Sequence, residues 1–149
     1  MVHLLEREQL VPVAPEVAFG LYGDAANLEP LTPPWLHFRV LATDRTHMGE
    51  GTVIDYRLRV RGVPIRWTAR IVEWKPATRF TDVQLRGPYR LWHHTHTFEP
   101  RGDGTVIRDV VRYALPFGPV GAIAHALLVR RDLERIFDYR RDETARLLG

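Results

Sequence analysis

Ile54-Asp55-Tyr56-Arg57-Leu58-Arg59-Val60-Arg61 alternates apolar and polar residues along its whole length. Successive side chains of a β-strand point to opposite faces, so this stretch predicts a strand with one buried face and one face in water. A Gly-Val-Pro turn follows, and the alternation then resumes with apolar residues at Ile65, Trp67, Ala69 and Ile71. The two stretches therefore predict neighbouring antiparallel strands that share an apolar face.

The rest of the chain carries further strand and turn signals, with helical signals on both sides of them. Proline is tolerated in a first helical turn, so Pro15 predicts a short helix over residues 16–22, and Asp24 is the expected N-cap of a second one that reaches Leu31. Residues 121–148 contain no proline and repeat apolar residues at helical spacing, which predicts one long helix. Further strands are expected at residues 6–13, from residue 36 onward, and at residues 80–85, 89–98 and 106–113.

This order predicts one α+β domain over residues 1–149, made of one strand, two short helices, six strands and a long helix. Short turns join the later strands, so we expect an antiparallel meander and a curved sheet of about seven strands. A sheet with a single apolar face must bury that face beneath the helix. Where side chains leave space between sheet and helix, we expect an internal cavity.

The composition is typical of a globular protein. Hydrophobic residues make up 45% and charged residues 26% of the chain, and there is no cysteine. A disulfide framework, a thiolate nucleophile and a Cys-ligated zinc site are therefore excluded. The formal net charge is only +3 and no nucleic-acid-binding motif accompanies the arginines, so we expect no nucleic-acid partner. No apolar run approaches the roughly 20 residues that span a bilayer, so we expect no stable membrane insertion and a cytoplasmic location.

The strand predicted at residues 89–98 carries the most distinctive polar residues. In the last strand, Asp109 shares the parity of apolar neighbours and should point inward, whereas periodicity leaves the faces of Asp82 and Gln84 undecided. A few polar groups that converge in an apolar chamber are typical of a small-molecule site; alternatively, they satisfy one another as structural hydrogen bonds. On the 89–98 strand, two aromatic residues, Trp92 and Phe98, mark one side as the inner one. That side consists of Trp92, His94, His96 and Phe98.

His94 and His96 lie two residues apart on one predicted strand face. Two imidazolium charges at this separation in a low dielectric would repel, so we expect at most one to be protonated at neutral pH, with Asp82 or Asp109 bonded to it. A side chain that lines a cavity has few partners to lose, so we expect His96→Gln to leave the melting temperature nearly unchanged. A metal ion held by both imidazoles and one carboxylate is an alternative, but without a certain third ligand we expect neither a metal nor another cofactor.

Five arginines on the adjacent predicted strands at residues 54–61 and 65–71 have the polar parity. We expect them to form a basic patch on the convex face of the sheet, either solvated and paired with acids or turned toward an anionic partner or membrane surface. They are Arg57, Arg59, Arg61, Arg66 and Arg70.

Five segments are distinctive beyond their hydrophobic pattern: NLEPLTPPWL (27–36), FTDVQ (80–84), GPY (87–89), WHHTH (92–96) and IFDYR (136–140). Together with the element order, they resemble the START-like (SRPBCC) superfamily, the helix-grip fold of polyketide cyclases, lipid-transfer domains and the major birch pollen allergen. Within it they are similar to a bacterial subgroup that occurs both as stand-alone domains and as N-terminal parts of larger proteins. The resemblance implies that the long helix crosses the concave sheet, that Asp82, Gln84 and both histidines face inward, and that ligands enter near residues 33–36, 49–51 and 87–89.

The resemblance favours a binder or carrier of a hydrophobic small molecule, such as a lipid, a quinone or a polyketide-like compound. A first alternative is an aromatase/cyclase- or dehydratase-type enzyme in which a cavity histidine acts as acid or base. A second alternative is a regulatory module that meets a protein partner. The sequence identifies neither a catalytic residue nor an oligomeric state. The expected ligand-binding residues are Tyr56, Trp67, Asp82, Gln84, Trp92, His94, His96, Asp109, Tyr113 and Phe137.

Overall fold

The computed structural model describes residues 1–44 and 48–149, which form one curved antiparallel sheet of seven strands covered by helices. The strands are β1 (His3–Val11), β2 (Arg39–Thr43), β3 (Val53–Val60), β4 (Val63–Lys75), β5 (Arg79–Arg86), β6 (Leu91–Arg101) and β7 (Gly104–Ala114). Their order across the sheet is β1-β7-β6-β5-β4-β3-β2. The meander from β2 to β7 is therefore as predicted, and β1 extends it beyond β7.

The helical elements precede β2 and follow β7. They are α1 (Pro15–Tyr22), two 3-10 turns (Ala25–Asn27 and Pro34–Leu36), α2 (Gly118–Ala124), a π-helical turn (His125–Val129) and α3 (Arg130–Leu148). The predicted α+β helix-grip architecture is confirmed. Within the described residues, no helix combines the length and apolarity that a membrane span requires.

Two boundaries predicted near the N-terminus are wrong. Strand β1 begins at His3 and ends at Val11, because it pairs with β7 over that whole range. The second short helix is only the 3-10 turn Ala25–Asn27, although Asp24 does cap it by accepting a hydrogen bond from the Ala26 amide at 2.9 Å. Pro30 has no amide hydrogen and disfavours helical geometry in the residue before it, so the turn cannot grow into the predicted helix.

The β3–β4 hairpin has the predicted faces. Tyr56 lies opposite Trp67 on the concave face, and Arg57 lies opposite Arg66 on the convex face. Arg61 departs from the predicted basic patch because it occupies the turn, with φ of 50°, and therefore leaves the strand alternation. Its guanidinium instead reaches α3, where Nη2 lies 2.9 Å from Asp132 Oδ1.

The C-terminal helical segment runs without an intervening loop from Gly118 to Leu148, three residues earlier than predicted. Its first turn packs closely on the chain that leads into it, since a Cβ atom at Gly121 would lie 2.1 Å from the Pro116 carbonyl oxygen. Only glycine fits so close an approach of backbone to backbone. The π-helical turn His125–Val129 is a further departure from the regular helix that the sequence predicts.

The apolar core consists of two clusters on the concave side of the sheet. One joins α1 to the strand ends through Phe19, Phe80 and Phe98, with Leu148 of α3 against it. The other joins α3 to the sheet through Leu133, Phe137 and Val111. The helical segment is thus anchored to apolar residues at two separate places.

A buried hydrogen bond from Tyr22, a member of the first cluster, links α1 to α3. The hydroxyls of Tyr22 and Thr144 lie 2.6 Å apart, and the two residues are 2% and 0% exposed. Neither hydroxyl can turn to solvent if its partner is removed.

We expect Thr144→Val to lower the free energy of unfolding by about 1–3 kcal/mol, because it leaves the Tyr22 hydroxyl without this partner. Urea denaturation of Thr144→Val, Tyr22→Phe and the double variant measures the coupling. The double variant should lose less than the sum of the single losses, since no orphaned hydroxyl remains. Strictly additive losses would show that the bond does not join the two helices.

Candidate ligand-binding site

Four polar side chains from three adjacent strands meet on the concave face. Asp82 of β5 lies opposite His94 of β6, and Asp109 of β7 lies opposite His96. Cross-strand partners share a face, so the register settles the inward position of Asp82 that periodicity left open. His94, His96 and Asp109 are only 4%, 2% and 7% exposed, which confirms that the histidines face the interior. We call these four residues the His–Asp cluster.

Short contacts connect every member of the His–Asp cluster. His94 Nε2 lies 2.8 Å from Asp109 Oδ1, and His96 Nε2 lies 3.0 Å from Asp82 Oδ2. His96 Nδ1 is also 3.1 Å from Asp109 Oδ1, within ion-pair distance, but it lacks the geometry of a hydrogen bond. Asp109 therefore bridges the two imidazoles.

Ring stacking encloses His96 on both sides. Its ring centroid lies 4.1 Å from that of Phe80 and 3.7 Å from that of His94. The expectation that His96→Gln is tolerated loses its basis here, because the imidazole is surrounded by protein rather than by a cavity. Ligand atoms of Asp82, His94 and His96 do lie within 4.8 Å of one another. However, imidazoles bind a metal in the ring plane, so the stacked rings would have to turn apart before both could ligate one ion.

The two histidines have opposite protonation behaviour. Burial and the neighbouring His96 lower the pKa of His94 to about 4, although Asp109 acts against this shift. Burial also works against a charged His96, but the contacts with Asp109 and Asp82 outweigh it and raise its pKa. Both ring nitrogens of His96 contact carboxylate oxygens, an arrangement that suits the protonated ring, so His96 is the charged member of the pair. Neutral His94 donates its Nε2 hydrogen to Asp109.

Both carboxyl groups remain ionised, although Asp109 is buried and Asp82 is partly buried. Desolvation by itself would raise the pKa of Asp109, but the hydrogen bond from His94, the contact with His96 and the charge of Arg140 hold it well below its usual value. The pKa of Asp82 is lowered too, since the bond from His96 and nearby positive charges overcome its desolvation. Two negative charges are therefore balanced by protonated His96 and by the guanidinium of Arg140.

Arg140 is a site residue that the sequence prediction missed. Its guanidinium carbon lies 4.6 Å from the centre of the Tyr22 ring, and its buried Nε has no hydrogen-bond partner among the described residues. Arg140 follows Phe137 by three residues and precedes Thr144 by four, so the three share one face of α3. An arginine within the apolar stripe of a helix is the signal that could have revealed it.

A cavity of about 200 Å³ opens beside the His–Asp cluster, between β1 and α3. Asp109 and Phe137, both predicted as ligand-binding residues, line it together with Tyr22 and Arg140. His94 does not line the cavity but packs against Phe137, which does; their ring centroids lie 5.6 Å apart. Asp109 is therefore the member of the cluster that reaches the cavity.

The predicted aromatic residues form a second part of the concave face. The ring centroid of Trp67 lies 5.9 Å from that of Tyr56 and 5.2 Å from that of Trp92. Tyr89 packs on Trp67 and Trp92 at 5.5 and 4.9 Å, so one of the implied gate segments contributes to this aromatic wall. Trp67 Nε1 is buried and has no acceptor within the described part of the chain.

Two predicted site residues form local contacts away from the His–Asp cluster. Gln84 closes its own turn, since its Nε2 donates to the Tyr89 carbonyl at 2.7 Å and its Oε1 accepts from the Tyr89 amide at 3.1 Å. The Tyr113 hydroxyl lies 2.8 Å from His125 Nε2 in the π-helical turn. Their roles in ligand binding stay predictions.

Comparisons with known proteins agree with this architecture. Residues 2–148 match the family described as polyketide cyclase / dehydrase and lipid transport. None of the curated proteins matches the chain by sequence. An aromatase/cyclase from Streptomyces sp. R1128 superposes with a TM-score of 0.77 at 14% identity, over 97% of this chain and 92% of that one.

Two other solved structures give the same result. A protein from Thermus thermophilus has a TM-score of 0.75 at 20% identity, over 99% of this chain and 100% of its own. A START superfamily protein from Mycobacterium smegmatis has a TM-score of 0.70 at 14% identity, over 97% and 99% of the two chains. At these identities the likeness concerns the fold.

We expect acid to destabilise the wild-type protein relative to His94→Gln. The pKa of His94 falls from 6.5 to about 4 on folding, so between these pH values the unfolded chain binds a proton that the folded chain excludes. From pH 7.5 to 5 this lowers the free energy of unfolding by about 2 kcal/mol. His96 has a raised pKa, so its contribution to the free energy of unfolding changes in the opposite direction on acidification.

Urea denaturation at the two pH values measures this difference, because the contribution of His96 is common to both proteins. His93→Gln is the matched control, since it removes a histidine from the convex side of the same strand. Equal losses on acidification in wild type and His94→Gln would contradict a neutral, buried His94.

Proposed function

The chain belongs to the polyketide cyclase / dehydrase and lipid-transport family, and on that premise we propose that it binds a hydrophobic small molecule that carries acceptor oxygens. The binding place is the space between the concave face of the sheet and α3, within one ligand-binding domain. The ligand class is polyketide-like, quinone or lipid.

One observation carries this proposal: the buried polar atoms on the concave side that lack a partner are all hydrogen-bond donors. Within the described residues they are Trp67 Nε1 and Arg140 Nε. Two further buried donors without a hydrogen bond are ion-paired instead: His96 Nδ1 lies 3.1 Å from Asp109 Oδ1, and Arg79 Nε lies 2.9 Å from Glu73 on the convex side. Buried donors are almost always satisfied in folded proteins, so Trp67 Nε1 and Arg140 Nε call for acceptors from water or a ligand. A molecule with carbonyl, quinone or carboxylate oxygens on an apolar frame supplies them.

The walls of the site suit the same ligand class. Rings of Tyr22 and Phe137 line the cavity beside the Arg140 guanidinium, and its other lining residues are polar: Arg7, Glu8, Gln9, Asp109 and Arg141. The aromatic wall around Trp67 adds a further apolar surface elsewhere on the concave face. The volume of about 200 Å³ is below the range of about 300–1,000 Å³ that is usual for ligand pockets. A ligand of two fused rings is therefore the appropriate first probe.

Acid–base catalysis is the second candidate, and the divergent pKa values of His94 and His96 support it. Environments that push two neighbouring groups apart in pKa are a common arrangement for an acid and a base. Both imidazoles are almost fully buried, however, and neither lines the cavity, so a proton would have to pass through Asp109. Binding without chemistry requires no such relay, which is why we place it first.

We expect 2-naphthoic acid to bind with micromolar affinity and to change tryptophan fluorescence. Arg140→Met keeps the aliphatic stem over Tyr22 but removes the cation and donor. Hydrogen bonds to charged groups contribute about 1.5–3 kcal/mol, so the affinity should fall by about 10- to 100-fold. Uncharged naphthalene should bind both proteins with similar affinity, because it has no acceptor for the guanidinium.

Arg146→Met is the matched control, because it removes a guanidinium from the outer side of α3, where Arg146 pairs with Glu143 at 2.8 Å. Isothermal titration calorimetry gives the affinities, and circular dichroism checks the fold of each variant. Loss of naphthoic acid binding in Arg146→Met, or its retention in Arg140→Met, would refute the assigned site. Native mass spectrometry of the loaded protein then separates binding from catalysis, since a bound ligand is recovered unchanged.

A further inference from the structure

A second surface of the protein is strongly apolar and exposed. Residues 115–129, which lead from β7 through α2 into the π-helical turn, contain no Asp, Glu, Lys or Arg. Their outer side presents Phe117, Val120, Ile123 and Leu127, which are 81%, 68%, 61% and 68% exposed. Single exposed apolar residues are ordinary, but a continuous set on one short segment marks an interaction surface. We call these four residues the α2 face.

Backbone geometry at the start of the α2 face reinforces this conclusion. Phe117 has φ of 70°, a left-handed conformation that is unusual for a bulky side chain. The close approach of Gly121 to the Pro116 carbonyl constrains the backbone of this turn. The Phe117 side chain is 81% exposed and therefore takes no part in the core.

The rim of the α2 face is positively charged. Arg130 and Arg131 follow the apolar segment directly and are exposed. The first two acids after the segment are Asp132, which pairs with Arg61 at 2.9 Å, and Glu134, which lies 3.6 Å from Arg130. Among the described residues no acid is ion-paired with Arg131, which lies beside an apolar segment that itself holds no acid. Apolar side chains bordered by arginine are the pattern of segments that lie in the interface of an anionic bilayer.

We propose that the α2 face docks on the surface of membranes that contain anionic lipids. Phe117, Val120, Ile123 and Leu127 enter the headgroup region while Arg130 and Arg131 contact lipid phosphates. A second copy of the chain is a poorer occupant. A two-fold contact through this face would place the arginines of both copies around one apolar patch, where they repel.

A cleft lies next to the α2 face and shares part of its lining with it. A cleft of about 320 Å³ is lined by Phe117, Pro119 and Ala122 of this segment and by Met1 and Arg90. Docking on a bilayer would turn this cleft toward the lipid. The α2 face lies apart from the cavity beside Asp109, so the proposal does not depend on the identity of an internal ligand.

Flotation of the full chain with vesicles tests the proposal. We expect binding to vesicles of phosphatidylcholine and phosphatidylglycerol (3:1), and little binding to phosphatidylcholine alone. Leu127→Asp should lower the partition coefficient at least tenfold. The double change Arg130→Gln and Arg131→Gln should lower it about 25-fold at low salt, which corresponds to about fivefold for each arginine.

Two further variants keep the outcome clear. Phe117→Ser changes a residue that precedes α2, so it cannot disturb the π-helical turn as Leu127→Asp could. We expect it to weaken vesicle binding as well. Leu10→Asp is the matched control, because Leu10 is 65% exposed on β1 and should bind as wild type does. Absence of binding to the mixed vesicles, equal binding to both vesicle types, or unaltered binding of Leu127→Asp and Phe117→Ser would overturn the proposal. A dimer in analytical ultracentrifugation that Leu127→Asp dissociates, without vesicle binding, would assign the face to self-association instead.

Discussion

Asp82 and Asp109 are ionised carboxylates on the concave face of the sheet, and the burial of Asp109 and partial burial of Asp82 constrain what surrounds them. Removing one such charge from water is unfavourable by several kcal/mol unless opposite charges and hydrogen bonds compensate. Protonated His96 lies between the two carboxylates, and neutral His94 donates a further bond to Asp109. Arg140 completes the balance from the helix. The formal charges of the cluster and Arg140 therefore sum to zero, which makes the arrangement sensitive to the loss of any single member.

This polar layer also organises the apolar core. It occupies the middle of β6 and β7, so the core is divided into a cluster around Phe19 and Phe98 and another around Phe137 and Val111. Helix α3 has to cross both clusters and still bring Arg140 over the carboxylates. The bond between Tyr22 and Thr144 holds the helix at this crossing point, next to the guanidinium.

The flanks of α3 are attached to the sheet by polar contacts that water can reach. Asp138 pairs with Arg7 of β1 at 2.6 Å, and Asp132 pairs with Arg61 of the β3–β4 hairpin at 2.9 Å. Partly exposed ion pairs of this kind contribute little individually. The cavity beside Asp109 lies along the β1 flank, where Arg7, Glu8 and Gln9 line it.

The sequence by itself determined the fold class, the strand order of the meander and the inward faces of His94, His96 and Asp109. These features follow from the two-residue period of a strand, which each segment expresses locally. The inward position of Asp82 became clear only from the register of β5 against β6. The position of Arg61 became clear only from the turn that removes it from its strand. The role of Arg140 was decided only by the tertiary structure. A helical period predicts which residues share a face. Which part of the sheet that face packs against depends on contacts between residues far apart in the chain.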